Sequence, residues 1–324
     1  MLSRAADCLF WMSRYLERAD HTARMTDVNL NLMTEGDQEG RERLIRLIHA
    51  LHMPAPEAEA DDLRPYYHRI AADARHPNSV LSCITSAREN ARQVREMLST
   101  ELWETLNRFY LDLRADCARQ TPVFAESSFY KKIRERSFQI RGIADDTLSH
   151  SEPWQFIRLG RYLERMEATS ELLRTYFKVY RLQPSQDHSR QYLEKVEILK
   201  YCSAFEPYSK VYTADFRFTW MAEFLLLNHD FPYSLTFSTR QVDYAITDLI
   251  SLSGRQDTGD LRKVTGKIRS FLEFSTGEDI LKDGIDAFLK RIEDASVDIN
   301  KAVYQTFITY PIEKTPDYLE TRTA

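Results

Sequence analysis

Residues 3–25 read SRAADCLFWMSRYLERADHTARM, and residues 156–167 read FIRLGRYLERME. The pentapeptide RYLER stands in both, as Arg14-Tyr15-Leu16-Glu17-Arg18 and as Arg161-Tyr162-Leu163-Glu164-Arg165. Each copy is followed two positions on by an acidic residue, Asp20 or Glu167. Around the first copy Leu2, Ala5, Leu9, Met12, Leu16, Ala19 and Ala23 recur every third or fourth residue. That recurrence puts them on one face of a helix and predicts helix from Ser3 to Met33, with Ser3 as its N-cap.

Working outward, the same period predicts helices over Glu42–His52, Arg64–Ala74, a long one ending at Ser99, Glu101–Arg119, Ser127–His150 and Glu152–Leu182. Beyond these, helices are expected over Gln191–Cys202, Glu206–Asn228, Tyr233–Ser253, Thr258–Ser275 and Glu278–Ile308. The breaks fall at Gly36 and Gly40, at Pro54 and Pro56, at HPNS (76–79) and at PSQD (184–187). FPYSLTFS (231–238) contains β-formers but is short, and reads as a loop and helix start. The tail from Tyr310 to Ala324 reads as extended or disordered. Only 9 glycines and 11 prolines occur in 324 residues, and no glycine lies between Arg41 and Arg141. Sandwiches, Rossmann folds and P-loop proteins need glycine at their turns and phosphate loops, so the expected class is all-α.

The chain also repeats itself. Pro77-Asn78-Ser79-Val80 follows the first RYLER as Pro232-Tyr233-Ser234-Leu235 follows the second. Two echoes in one order predict an internal duplication: a helical bundle of two halves, 1–150 and 151–310, about a pseudo-twofold axis, with a 311–324 tail. Two copies make a single globule and not a solenoid.

Neighbours on a helix lie three and four residues apart. Arg14, Glu17, His21 and Arg24 therefore share one side, and Arg161, Glu164 and Arg165 repeat the arrangement with Glu171 further along. Tyr15 and Tyr162 fall near the apolar arc, where each could pack while presenting its hydroxyl. Two readings stand. One is an interior Arg–Glu network that locks the halves together. The other is a polar pocket where Glu17 and Glu164 act as base or ligand and the arginines hold an anionic or amide substrate. In SARENARQVR, Arg88, Arg92 and Arg95 share one face and Asn90 lies off it; the face is either a solvated basic one or an anion-binding surface turned to the first helix.

Charged residues make up 29% and hydrophobic ones 43%, as in ordinary globular chains, and the net charge of −5 disfavours non-specific nucleic-acid binding. Arg outnumbers Lys by 32 to 12, which suits bidentate pairing to carboxylates. Cys8, Cys83, Cys117 and Cys202 have no CxxC spacing, so reduced thiols, a cytoplasmic location and no metal are expected. The opening MLSRAADCLF lacks the pattern of a secretory leader, and no apolar run is long enough for a membrane span. Signatures of common hydrolases, calcium loops and nucleotide binders are absent, so no cofactor is expected.

LSRAADCLFWMSRYLERADHTARM, HPNSVLSCITSARENARQVRE with ELWETLN close behind, FIRLGRYLERME and FPYSLTF together resemble the bacterial alpha-E family. The resemblance implies an all-helical protein that accompanies a circularly permuted ATP-grasp protein and often a transglutaminase-like peptidase. Such systems make and process amide or peptide bonds. By the resemblance the motif glutamates are Glu17 and Glu164, the flanking arginines Arg14, Arg18, Arg161 and Arg165, and the second block Arg88, Glu89, Asn90 and Arg92. These 324 residues contain no nucleotide-binding signature, so by the resemblance an ATP-driven step is expected to come from a separate partner. Three roles remain open: partner or substrate-binding subunit, enzyme in its own right, or helical scaffold.

Overall fold

The helical period is realised throughout residues 1, 3–32, 38–54, 63–119, 123–182, 188–213 and 215–309, which a computed structural model describes. Fourteen α-helices follow one another: α1 (Ser3–Leu32), α2 (Gln38–Ala50), α3 (Arg64–Ala72), α4 (Val80–Gln93), α5 (Thr100–Cys117), α6 (Ser127–Thr147), α7 (Glu152–Leu182), α8 (His188–Tyr201), α9 (Phe205–Tyr212), α10 (Phe218–Leu227), α11 (Leu235–Ser253), α12 (Gly259–Phe274), α13 (Gly277–Asp283) and α14 (Ile285–Val303). No strand occurs among the described residues. Gly36, Pro56, PSQD and the 310–324 tail lie outside them.

Several boundaries differ from expectation, each for a local reason. Gly40 lies inside α2 and not in a loop. α1 begins at Ser3 itself, so its N-cap position falls on residue 2, outside the described residues. The long helix expected to reach Ser99 stops at Gln93, because Val94 leaves helical dihedrals for a 3-10 turn over Arg95–Met97. Ser99 is then free to cap α5, its hydroxyl accepting from the Leu102 N–H. The helix expected over 206–228 is split by Thr213, which adopts left-handed φ 49. That expected over 278–308 is split at Gly284, whose φ of 83 only glycine takes without strain.

α1 and α7 form the centre. α1 packs on α7, α4 and α6, and α7 packs on α1, α11 and α14. α5 spans from α4 to α6, and α12 from α11 to α14. α1 was expected to be amphipathic, and its apolar residues Ala5, Leu9, Met12, Ala19 and Ala23 are buried. So too are Ser13, Arg14, Glu17, Asp20, His21, Arg24 and Asp27, because neighbours cover every side. The central helices approach closely at Gly160. A Cβ there would sit 2.2 Å from Ser13 Oγ and 2.3 Å from the Phe10 carbonyl oxygen. Absence of a side chain is thus what lets α7 lie against α1. Among the described residues no helix is long and apolar enough to cross a membrane.

Candidate functional site

About one turn along α7 from that contact the RYLER residues meet. Their pairing is crossed: each glutamate is held by the arginine of the other copy. Glu17 accepts from Arg165 Nε at 2.7 Å and Nη2 at 3.1 Å. Glu164 accepts from Arg18 Nε at 2.5 Å and Nη2 at 3.1 Å. Both are forked, charge-assisted pairs, the geometry for which arginine is better suited than lysine. Each of these arginines also stacks on the tyrosine of its own copy, Arg18 on Tyr15 and Arg165 on Tyr162.

Each glutamate takes one more guanidinium. Arg14 Nε donates to Glu164 at 2.7 Å, and Arg141 Nη1 of α6 donates to Glu17 at 3.0 Å. The third guanidinium nitrogen of each is spent on a loop: Arg18 Nη1 on Asn78 Oδ1 at 3.1 Å and Arg165 Nη1 on the Pro232 carbonyl at 3.1 Å. Asn78 lies one residue before Ser79 and Pro232 two before Ser234, the N-caps of α4 and α11. The repeated Pro-x-Ser segments thus both end on the paired arginines.

Burial pushes the Glu17 and Glu164 carboxyls up, but the guanidiniums outweigh it and hold both below the usual carboxylate range. Burial disfavours the charged forms of Arg18 and Arg165 as well, yet the glutamates raise both above the ordinary arginine value. Both pairs are therefore held in their charged forms, the Glu17–Arg165 pair buried and the Glu164–Arg18 pair partly open at Arg18. With three donors on each carboxylate, their lone pairs are largely occupied and both are weak bases.

Around Glu164 lies a cleft of about 250 Å³, walled in part by Arg18, His21, His52, Asn78, Glu167 and Glu171. Glu167 accepts from Arg14 Nη2 and, at 3.3 Å, from Ser296 Oγ. Burial outweighs Arg14 here and raises its carboxyl. His52 closes α2 in left-handed φ 52, with its N–H on the His49 carbonyl and the Met53 N–H on the Ile48 carbonyl. That cap aims its Nε2 at Glu171 Oε1, 2.5 Å away, and the contact raises its pKa. His21 is only 7% exposed, its Nδ1 lies 3.1 Å from Arg24 Nη2, and burial together with Arg24 lowers it to about 3. A larger cleft, about 550 Å³, lies between α5 and α6, lined by Asp112, Asp116, Lys132 and Arg136 and by none of the motif residues.

Of the sequence candidates, Glu17, Glu164, Arg14, Arg18, His21 and Arg165 are brought together. Arg161 borders a small pocket with Glu17 and Arg141, but its ion pair is with Asp145 at 3.5 Å and not with either glutamate. Arg88 donates to Asn107 at 3.1 Å and to Glu89, and stacks on Trp103 and Tyr110 of α5. Arg92 pairs with Glu89 at 2.9 Å, and Asn90 Nδ2 with the Ser86 carbonyl at 2.9 Å. No described contact joins this set to the glutamates, and Arg88 turns to α5, not to α1. Glu167, Arg141 and His52 were not singled out as site residues. Arg141 left a trace in the sequence. Asp20 and Asp27 on α1 are seven apart, as are Arg134 and Arg141 on α6, and they pair at 3.5 Å and 3.4 Å. Among the described residues no group of three or more His, Cys, Asp or Glu could hold a metal ion.

The Alpha-E family model, described as a predicted alpha-helical domain with a conserved ER motif, matches residues 1–308. No curated protein and no solved structure matches the chain. The helical architecture agrees with that description, and two Glu-Arg pairs, Glu17-Arg18 and Glu164-Arg165, tie the central helices together. The chain belongs to the Alpha-E family.

Proposed function

We propose that this chain is a non-catalytic, cytoplasmic subunit of an ATP-grasp-linked system for amide or peptide-bond synthesis, presenting substrate from the cleft beside Glu164. The observation that carries this is the division of the acidic groups. Glu17 and Glu164 each accept three guanidinium donors, whereas Glu167 and Glu171, in the lining of the cleft beside Glu164, have one cationic partner each among the described residues, Arg14 and His52. On this reading the ER pairs hold the scaffold, the cleft does the binding, and Arg88, Asn90 and Arg92 belong to a separate surface. The partner is a circularly permuted ATP-grasp protein, with a transglutaminase-like peptidase as a second one, as the family resemblance implies.

The same reading takes residues 1–150 and 151–310 as duplicated halves about a pseudo-twofold axis. Four features support it. The crossed ER pairs exchange roles. α1, α4, α5 and α6 pack in the order of α7, α11, α12 and α14. Ser79 and Ser234 cap corresponding helices. α2 and α8 both end on a left-handed non-glycine residue, His52 or Ser203, with the same pair of capping hydrogen bonds.

Co-expression with the circularly permuted ATP-grasp protein of the same genome tests the function. A complex that survives affinity capture, and ligase turnover that drops when this chain is withheld, are expected. Absence of a complex together with unchanged ligase turnover refutes it. One observation favours a second reading, an enzyme in its own right: Glu167 has a raised carboxyl at the cleft wall and suits proton transfer better than Glu17 or Glu164. Turnover by the chain alone that disappears in Glu167→Gln, with folding unchanged, selects that reading.

A further inference from the structure

Glu164, Glu167 and Glu171 lie three and four residues apart, so one face of α7 lines the cleft with three carboxylates. The cationic groups of that lining are Arg18 and, when protonated, His52, and Arg14, outside the lining, also pairs with Glu164 and Glu167, so the cleft offers the remaining lone pairs of its carboxylates and not an excess of negative charge. A second observation is independent of this charge. His21, 7% exposed, borders the same cleft. Its Nδ1 faces Arg24 Nη2 at 3.1 Å, and a guanidinium can only donate, so Nδ1 accepts and the ring proton sits on Nε2. Nε2 has no hydrogen-bond partner among the described residues. Nε2 is not among the side-chain atoms closed off from solvent without a partner, so its N–H opens beside the cleft that the ring borders and is free to donate to a ligand oxygen.

Resting on the reading of this cleft as a binding site, we propose that it takes a primary ammonium group with a neighbouring carbonyl oxygen, as at the amino terminus of a peptide or in a free amino acid. The ammonium sits between Glu167 and Glu171, whose carboxylates keep lone pairs beyond their present partners. The carbonyl oxygen accepts from His21 Nε2–H. At about 250 Å³ the cleft is smaller than sites for drug-sized ligands, roughly 300–1,000 Å³, and suits a head group of this size.

Calorimetric titration of the full chain with four probes tests this: alanyl-alaninamide, its N-acetyl derivative, alanine and propylamine. Saturable binding is expected for alanyl-alaninamide, alanine or both, and which one binds identifies the source. Acetylation, or loss of the carbonyl in propylamine, weakens binding about tenfold, as expected for losing a hydrogen bond to a charged group or the one from His21. Glu167→Gln and Glu171→Gln each weaken it about tenfold. Glu171 is partly exposed, so its variant reports even where Glu167→Gln fails to fold. The His21 Nε2–H resonance shifts on titration. No saturable binding of either amine, equal affinity for the acetylated peptide, or unchanged affinity in the folded glutamate variants overturns the proposal. ATP-grasp capture is measured on the same samples. Capture without amine binding sinks this proposal alone; amine binding without capture sustains it and sinks the partner role alone.

Discussion

Replacing Glu17 by Gln keeps the side chain's shape and removes its charge. In the folded protein this leaves Arg165, whose side chain is 6% exposed, without its anion, and takes one pair from Arg141 as well. Removing one partner of a buried ion pair costs about 3–5 kcal/mol. Against a usual domain stability of about 5–15 kcal/mol this is a large fraction. Glu164→Gln makes the same change in the crossed pair, but its partner Arg18 is 24% exposed toward the cleft and can recruit water. Its cost falls nearer that of a lost hydrogen bond to a charged group, about 1.5–3 kcal/mol. Its other partner, Arg14, is 5% exposed but keeps Glu167 as a second anion, so the order, Glu17→Gln worse than Glu164→Gln, follows from the exposure of Arg18 and the remaining pair of Arg14. Replacing both members, Glu17→Leu with Arg165→Met, recovers much of the loss, because no unpaired charge then remains.

The assay is urea unfolding followed by circular dichroism. The sign with pH is also determined. Glu17 has a folded pKa depressed below its unfolded value, so its contribution is fully present above about pH 4.3 and lost as pH falls further through the folded pKa. The gap between the parent protein and Glu17→Gln therefore narrows in acid. A cost for Glu17→Gln below about 1 kcal/mol would show that the pair is no more than a surface salt bridge in effect. A reversed order of the two variants, or a gap that does not change with acid, also refutes the reasoning.

Gly160→Ala should destabilise by about 1–3 kcal/mol or more, since the Phe10 carbonyl at 2.3 Å is backbone and cannot swing aside; an unchanged melting temperature contradicts the close approach. Ser79→Ala and Ser234→Ala each remove an N-cap and should cost about 1 kcal/mol, with denaturant unfolding as the check. His21 should stay neutral down to about pH 3 as the Nε2–H tautomer, visible in nitrogen NMR. Its folded pKa is depressed, so its share of stability is present above the unfolded value of about 6.5 and is lost as pH falls toward 3. A His21 titration midpoint near 6.5 contradicts this.

Much of the site was legible because helical spacing is local. The intervals Arg14–Glu17–His21–Arg24 put those groups on one side of α1 before any packing is known. What spacing does not carry is which side chain of a distant helix answers. The sequence alone offered Arg14–Glu17 and Arg161–Glu164 as neighbours within each helix. The tertiary structure instead crosses them, Arg165 to Glu17 and Arg18 to Glu164, and sends Arg161 to Asp145. The basic face of α4 was visible, but its direction was not, since Asn107, Trp103 and Tyr110 approach from α5. Long runs of helical period hid three breaks, at Val94, Thr213 and Gly284, because each begins at a residue whose backbone dihedrals the apolar period does not reveal.

By itself, then, the sequence determined the all-helical class, the repeated motif and the family resemblance, all of which rest on period, composition and local order. Whether the motif charges were solvated or buried was decided only when α1 and α7 met. A helix carrying Arg14, Glu17, Asp20, His21 and Arg24 reads as having one polar side. That side is interior here because the partner helix supplies opposite charges at hydrogen-bonding distance and Gly160 lets it come close enough to do so. The unpartnered nitrogen of His21 over the Glu167–Glu171 face belongs to the same class of fact. It exists only where the end of α2 and the loop before α4 wall the space that those groups share.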